Sequence, residues 1–145
     1  MFNRILLPID GSEQSLQAAS TGIAVAAASG AKVIALEVLK PLASVVLAAD
    51  AILHDSSSHT ARAIRRARED LAEVRLMADE AGVVFEDGYA FDHRPYLAIL
   101  AAAERADVDL IVVSGSQYAS RHHDHLSGEI TRLVGNAGVP VLVCP

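Results

Sequence analysis

Short apolar runs alternate with helical stripes along the whole chain. Arg4–Ile9 is an apolar run closed by Asp10, Gly11 and Ser12, a pattern that predicts a strand, a turn and a helix start. Each later apolar run is likewise separated from the next by a segment with helical or loop character. The pattern predicts five strands, at Arg4–Ile9, Lys32–Val38, Val83 to about Gly88, Val108–Val113 and Val139–Cys144.

Four helices are predicted between these strands. Ser12 is a suitable N-cap for the first helix, and Gly30 is a suitable stop. The second helix shows apolar positions that step by three and four. We expect it at about residues 60–81, after a loop that covers Leu42–Ser58 and could include a short helix. Pro95 suits the first turn of the third helix, and the fourth is expected at Gly128–Asn136.

This alternation of elements predicts an α/β fold. Strands that are joined by helices need right-handed crossovers, and therefore form a parallel sheet. The chain has 145 residues, which is enough for one domain and too few for two, so residues 1–145 are expected to form a single doubly wound domain. Hydrophobic residues make up 52% and aromatic residues only 4%. The core is therefore expected to be aliphatic, as in a sheet covered on both faces.

A parallel sheet of this kind places its ligand crevice at the carboxyl ends of the strands. Asp10, Val38 and the Ser114-Gly115 pair all lie at or near such strand ends. We expect these residues to surround a single crevice.

Charge and composition narrow the function classes. The net charge of −6 argues against a broad nucleic-acid surface, which needs clustered cations. One cysteine, Cys144, precludes an internal disulfide and is expected to be a buried, inert thiol in a reducing compartment. No leader and no membrane-length apolar run is apparent, so the sequence predicts a cytoplasmic protein that binds neither membrane nor nucleic acid. The arginines are interpreted as a solvated helix face: Arg62, Arg65, Arg66 and Arg68.

Three motifs resemble the universal stress protein family. They are residues 5–12 (ILLPIDGS), residues 109–115 (DLIVVSG) and residues 139–143 (VPVLV). The resemblance spans essentially the whole chain. It implies a five-stranded sheet in the order 3-2-1-4-5 with helices on both faces, and a homodimer. One branch of the family binds ATP between the first and fourth strands, through a motif of Gly, two residues, Gly, nine residues, and Gly followed by Ser or Thr.

The motif's spacing is present in this chain, but two of its residue types are changed. Gly115 and Gly128 match the first and third glycines, whereas Tyr118 stands at the second glycine and Glu129 at the Ser/Thr position. Glu129 is expected to place negative charge at the start of the fourth helix, where an anion would bind. Tyr118 is expected to resist a positive φ and to obstruct the loop. Thr131 could still offer a hydroxyl group.

The resemblance also implies the members of the site. Asp10 would meet the ribose or the adenine edge, and Val38 would contact the base. Because the nucleoside end is better preserved than the phosphate end, we expect the crevice to bind an adenine nucleotide, AMP or ATP, weakly at best. For ATP, which needs the changed phosphate end, we expect binding to be weak or absent. The predicted site comprises Pro8, Ile9, Asp10, Val38, Ser114, Gly115, Gly128, Glu129, Ile130 and Thr131.

No catalytic constellation is recognisable, and we predict a non-enzymatic stress-response binding protein. The flanking serines of Gly115 do not form a nucleophile elbow, and His122–His125 are expected to form a polar loop rather than a metal site. The homodimer is expected to form through Val139–Val143. Two alternatives remain open: an ATP-binding or ATP-switched regulator, and an interaction module that uses Leu42–Leu53.

Overall fold

The computed structural model describes residues 1–41, 50–119 and 126–145, with side chains described from residue 58 onward in the second range. These residues form five parallel strands and four helices that alternate along the chain. The strands are β1 (Arg4–Ile9), β2 (Lys32–Leu39), β3 (Phe85–Phe91), β4 (Leu110–Ser114) and β5 (Val141–Cys144). The helices are α1 (Glu13–Ser29), α2 (Asp50–Glu80), α3 (Pro95–Arg105) and α4 (Gly128–Asn136).

The sheet has the order β3-β2-β1-β4-β5, which confirms the predicted 3-2-1-4-5 arrangement. The strands are added on one side of β1 as far as β3 and on its other side from β4 onward, so the strand order switches between β1 and β4 while all strands stay parallel. The carboxyl ends of β1 and β4 therefore diverge into separate loops at this point, which is where a doubly wound sheet opens a crevice.

Alternate residues of β1 face two separate cores. Ile5, Leu7 and Ile9 pack with α1 and α2, whereas Leu6 packs with α3 and α4 on the opposite face. Both cores are mainly aliphatic. This two-sided burial explains why the central strands are nearly continuous apolar runs, and it confirms helices on both faces.

Local capping agrees with the sequence. The Ser12 hydroxyl accepts a hydrogen bond from the backbone N–H of Ser15 at 3.2 Å, as expected of an N-cap. Gly30 ends α1 in the left-handed conformation, with φ of 69°. Both ends of α1 are thus set by local residue chemistry.

Several boundaries differ from the predictions. The predicted loop over Leu42–Ser58 is wrong in its second half, because α2 begins at Asp50 rather than near residue 60. β3 continues through the Asp87-Gly88 pair to Phe91, since Gly88 pairs with Leu36 in the ladder instead of making a turn. β4 and β5 start two residues later than predicted, at Leu110 and Val141. Cys144, predicted to be buried, is only partly so.

None of the helices in the described ranges combines the length and the apolar character that a bilayer crossing needs. The polar loop predicted at His122–His125 lies outside the described residues, and so do residues 42–49 of the contact surface predicted at Leu42–Leu53. The side chains of residues 50–53 also lie outside the description.

Candidate functional site

The predicted site residues lie around the carboxyl ends of β1, β2 and β4 and the start of α4. Pro8 and Ile9 end β1, Val38 is near the end of β2, and Ser114 ends β4. Asp10 and Gly115 follow directly after β1 and β4. The remaining four form the first turn of α4: Gly128, Glu129, Ile130 and Thr131.

Asp10 fastens the two loops of the crevice to each other. Its Oδ1 accepts hydrogen bonds from the backbone N–H of Ser12 at 3.0 Å and from the Ser12 hydroxyl at 2.5 Å. Its Oδ2 accepts from the backbone N–H of Tyr118 at 3.1 Å. Both carboxylate oxygens therefore have partners within the protein, and a ribose hydroxyl would have to share or displace them.

Tyr118 fills space at the centre of the crevice. Its φ is 61°, a conformation that favours glycine, and it is one of two non-glycine residues with positive φ in the described ranges. Its ring packs against the core that contains Val38, and its hydroxyl lies 3.4 Å from the carbonyl oxygen of Ile9, a long hydrogen bond. The backbone at Tyr118 thus adopts the glycine-type conformation that we expected it to resist.

Negative charge surrounds the Tyr118 hydroxyl. Burial raises the pKa of this phenol well above its ordinary value, and the carboxylates of Asp10, Glu37 and Glu129 raise it further. The charges of Asp10 and Glu129 would also oppose a polyphosphate at this position.

Gln117 is a site residue that the sequence did not indicate. Its side chain is fully buried, and its Nε2 donates to the carbonyl oxygen of Pro8 at 2.9 Å while its Oε1 accepts from the backbone N–H of Ser114 at 2.7 Å. Its own carbonyl oxygen accepts from the hydroxyl of Ser127 at 2.5 Å. The side-chain amide of Gln117 thereby joins the ends of β1 and β4, and its backbone carbonyl joins them to the N-cap residue of α4. A lone glutamine inside a glycine motif gave no periodic signal that could have revealed this.

The start of α4 is capped from within the chain. The Ser127 hydroxyl accepts from the backbone N–H of Ile130 at 3.2 Å, and the Ser127 carbonyl accepts from the hydroxyl of Thr131 at 3.0 Å. The Thr131 hydroxyl, which we expected to be available to a ligand, is therefore engaged in the helix.

Glu129 lies in the first turn of α4, as predicted, and its carboxylate also contacts the neighbouring helix. Its Oε2 accepts from the backbone N–H of Tyr96 at 3.1 Å, in the first turn of α3. Its Oε1 lies 3.3 Å from the guanidinium group of Arg132, and the Glu129 side chain as a whole is 17% exposed. The negative charge thus stabilises α3, whose N-cap residue Arg94 makes no side-chain capping bond.

Three cationic or titratable side chains also border the crevice. A cavity of about 250 Å³ lies between Tyr118 and Glu129, and Lys40, His93 and Arg132 contribute to its wall. The sequence analysis did not single out these three, because they belong to three separate segments. Lys40 and Arg132 partly offset the negative charge described above.

A pair of carboxyl groups lies beneath the crevice on the α1/α2 face. Glu37 in β2 is only 5% exposed, and its Oε2 has no hydrogen-bond donor among the described residues. Burial raises the pKa of Glu37 to about 8, and the nearby Asp70 and then Asp10 contribute to this rise. A retained proton would let Glu37 donate to Asp70, which resolves the missing partner.

Gly11 allows this carboxyl pair to approach the turn. A Cβ at Gly11 would lie 2.6 Å from Oδ2 of Asp70, and the φ of Gly11 is 78°. Within the described ranges, no group of three or more His, Cys, Asp or Glu side chains is arranged to hold a metal ion.

Comparison with known proteins gives a consistent result. The universal stress protein family model matches residues 1–145. A universal stress protein of Thermus aquaticus, named for its place in the QAH/OAS sulfhydrylase 3′ region, is 30% identical over 144 residues, which cover 99% of this chain and 98% of that protein.

Solved structures share the fold over nearly the full length. The universal stress protein UspA of Lactobacillus plantarum superposes with a TM-score of 0.85 at 20% identity, covering 99% of this chain and 97% of that one. A universal stress protein in complex with cAMP superposes with a TM-score of 0.72 at 23% identity, with the same coverages. From the family match over its entire length, together with these relatives, the chain is a member of the universal stress protein family.

Proposed function

We propose that this chain is a non-catalytic, cytoplasmic stress-response binding protein whose crevice accepts an adenine nucleotide weakly and ATP poorly or not at all. The single observation that carries the proposal is the position of Tyr118, which occupies the crevice between β1 and β4 and bonds to both Asp10 and Ile9. A nucleoside would compete with this ring for the surface around Val38.

The size and field of the crevice support weak binding. The cavity of about 250 Å³ is smaller than the roughly 300–1,000 Å³ typical of ligand pockets. Asp10 and Glu129 bring negative charge close to Tyr118, which lines this cavity, and such charge opposes a triphosphate more than a singly charged ligand. The cAMP complex of a protein with the same fold supports an adenine nucleotide as the ligand class.

A gain-of-function experiment tests the proposal. The double variant Tyr118→Gly/Glu129→Ser restores the glycine and serine of the ATP motif, and Gly suits the positive φ at position 118. We expect it to bind Mg-ATP about 100-fold more tightly than the unchanged protein in calorimetry, since a ring and a charge are both removed. Ala119→Gly, which adds a glycine to the same loop, should leave the affinity unchanged. Sub-micromolar binding of Mg-ATP by the unchanged protein would overturn the proposal.

A second function, an ATP-binding or ATP-switched regulator, is favoured by the cations at the cavity wall. Lys40, His93 and Arg132 could receive phosphate oxygens if Arg132 exchanged Glu129 for the ligand. The same titration distinguishes the two functions. Release of inorganic phosphate from Mg-ATP by the unchanged protein would further contradict a non-catalytic role.

We also propose a homodimer through the C-terminal segment Val139–Val143. β5 forms one edge of the sheet, and Leu142 and Val143 are 38% and 37% exposed on it. An exposed apolar edge strand invites a partner, and a twofold interface would cover the same patch on both copies.

A further inference from the structure

A second cavity, of about 400 Å³, opens where β2 and β3 end beneath α2. Lys40 follows β2, Phe91 ends β3, and α2 contributes His59, Arg62 and Arg66. We refer to these five side chains as the basic cavity. Lys40 also borders the crevice described above, but the other four residues do not.

The basic cavity concentrates positive charge in a chain whose net charge is −6. Among the residues that the structure describes, those that line the cavity include no acid. Within the described ranges, Lys40, Arg62 and Arg66 form no ion pair, whereas the other lysine, Lys32, is paired with Glu86. The cavity therefore presents three cations that are not neutralised by neighbouring described side chains, and an anion would supply the missing charge.

The acid next to Phe91 is directed elsewhere. Asp92 follows Phe91, and its Oδ1 accepts from the backbone N–H of Arg94 at 2.9 Å. Arg62 and Arg66 are four positions apart and so share one face of α2. Both arginines are exposed, as the sequence predicts, and they also form one wall of the cavity.

Phe91 adds an aromatic surface to the same cavity. Its side chain is 42% exposed, which is high for a phenylalanine, and the Tyr89 ring meets it edge-on at 6.0 Å between centroids. An exposed ring that is held by a second ring offers a fixed platform on which a planar group can stack.

We propose that the basic cavity binds a small phosphorylated compound that carries a planar ring. The phosphate lies between Lys40 and the two arginines, whose guanidinium groups suit bidentate contact with phosphate oxygens. The ring lies on Phe91. The volume falls within the range of small-molecule sites, roughly 300–1,000 Å³.

Phenyl phosphate is the simplest probe, because it has one phosphate and one ring and contains no nucleoside. Its failure would therefore leave the adenine-nucleotide proposal untouched. Amide chemical shifts in NMR spectra should change at residues 59–66 and 91 during a titration. We expect phenyl phosphate to bind about tenfold more tightly than inorganic phosphate, since only the former reaches Phe91.

Variants test separately the residues proposed to contact the phosphate and the residue proposed to contact the ring. Arg62→Gln/Arg66→Gln should weaken binding of phenyl phosphate about tenfold, whereas Arg65→Gln, an exposed neighbour on α2 that does not line the cavity, should change it less than about twofold. Phe91→Leu should weaken phenyl phosphate and leave inorganic phosphate unchanged. Circular dichroism and thermal unfolding would verify that each variant is folded.

Three results would overturn this assignment. The first is no binding of phenyl phosphate by the unchanged protein. The second is shift changes confined to residues 115–119 and 128–132, which would place the probe in the other crevice. The third is equal weakening by Arg65→Gln and by the double variant, which would indicate only general attraction to a cationic surface.

Discussion

The Glu129 carboxylate caps a helix other than its own, since its Oε2 accepts the backbone N–H of Tyr96 at 3.1 Å in the first turn of α3. Pro95 begins α3 without an N–H, and Arg94 supplies no side-chain cap. Glu129, which belongs to α4, therefore accepts the Tyr96 N–H that a side chain at the N-cap position, Arg94, would ordinarily accept. A residue that departs from the ATP motif thus has a structural role of its own.

Removing this cap should destabilise the protein. We expect Glu129→Ala to lower the free energy of unfolding by about 1 kcal/mol, the usual value of a lost helix cap. Arg132→Ala removes the exposed ion pair but leaves the cap, so its effect should be smaller. Chemical denaturation of both variants measures the difference. Equal effects of the two would indicate that the Tyr96 contact contributes nothing.

Gln117 should be the least replaceable polar residue of the crevice. Gln117→Ala leaves the Pro8 carbonyl and the Ser114 N–H buried without their partners, and we expect a loss of about 2–3 kcal/mol in unfolding free energy. Gln14→Ala, at an exposed position of α1, is the matched control and should change stability by less than about 0.5 kcal/mol. A Gln117→Ala protein as stable as its control would contradict this role.

The buried carboxyl of Glu37 should make stability depend on pH. Its pKa in the folded protein, about 8, lies above its ordinary value of 4.5, so the folded state binds the proton more tightly than the unfolded state does. The stabilisation is complete below pH 4.5 and is lost as pH rises from about 4.5 to 8. Because one proton is involved, the slope from this group is at most about 1.4 kcal/mol per pH unit.

Glu37→Gln should remove this dependence. The amide can still donate to Asp70 but cannot ionise, so the variant should lose less stability than the unchanged protein between pH 5 and pH 9. Denaturation midpoints across this range test the prediction, with Glu80→Gln at an exposed position of α2 as the control. The same pH slope in all three proteins would show that Glu37 ionises normally.

The proposed dimer depends on the apolar face of β5. Light scattering should give twice the chain mass for the unchanged protein, and Leu142→Lys should give a monomer, because a charge on an edge strand opposes pairing. Val84→Lys is the matched control, since Val84 is also exposed but lies next to β3 at the other edge of the sheet. A monomeric unchanged protein at micromolar concentration, or a monomeric Val84→Lys variant, would count against an interface at β5.

Much of the fold could be predicted from the sequence because its signals are local. The apolar runs gave all five strands to within a few residues, and Ser12 and Gly30 marked both ends of α1 through their own side-chain and backbone chemistry. The start of α2 was misplaced because Ser56, Ser57 and Ser58 were interpreted as a loop, whereas serine is also accommodated within a long helix. The order of the strands came from the resemblance to a family, not from the pattern.

The candidate site was predicted only in part. The sequence alone determined which residues stand at strand ends, and therefore that Asp10, Val38 and Gly115 lie at the carboxyl end of the sheet. Only the tertiary structure decided the partners: Glu129 with Tyr96, Gln117 with Pro8, and Glu37 with Asp70. The physical reason is that a periodic pattern fixes the face on which a residue lies, whereas a hydrogen bond or shared proton depends on which distant segment the packed helices and loops bring within about 3 Å.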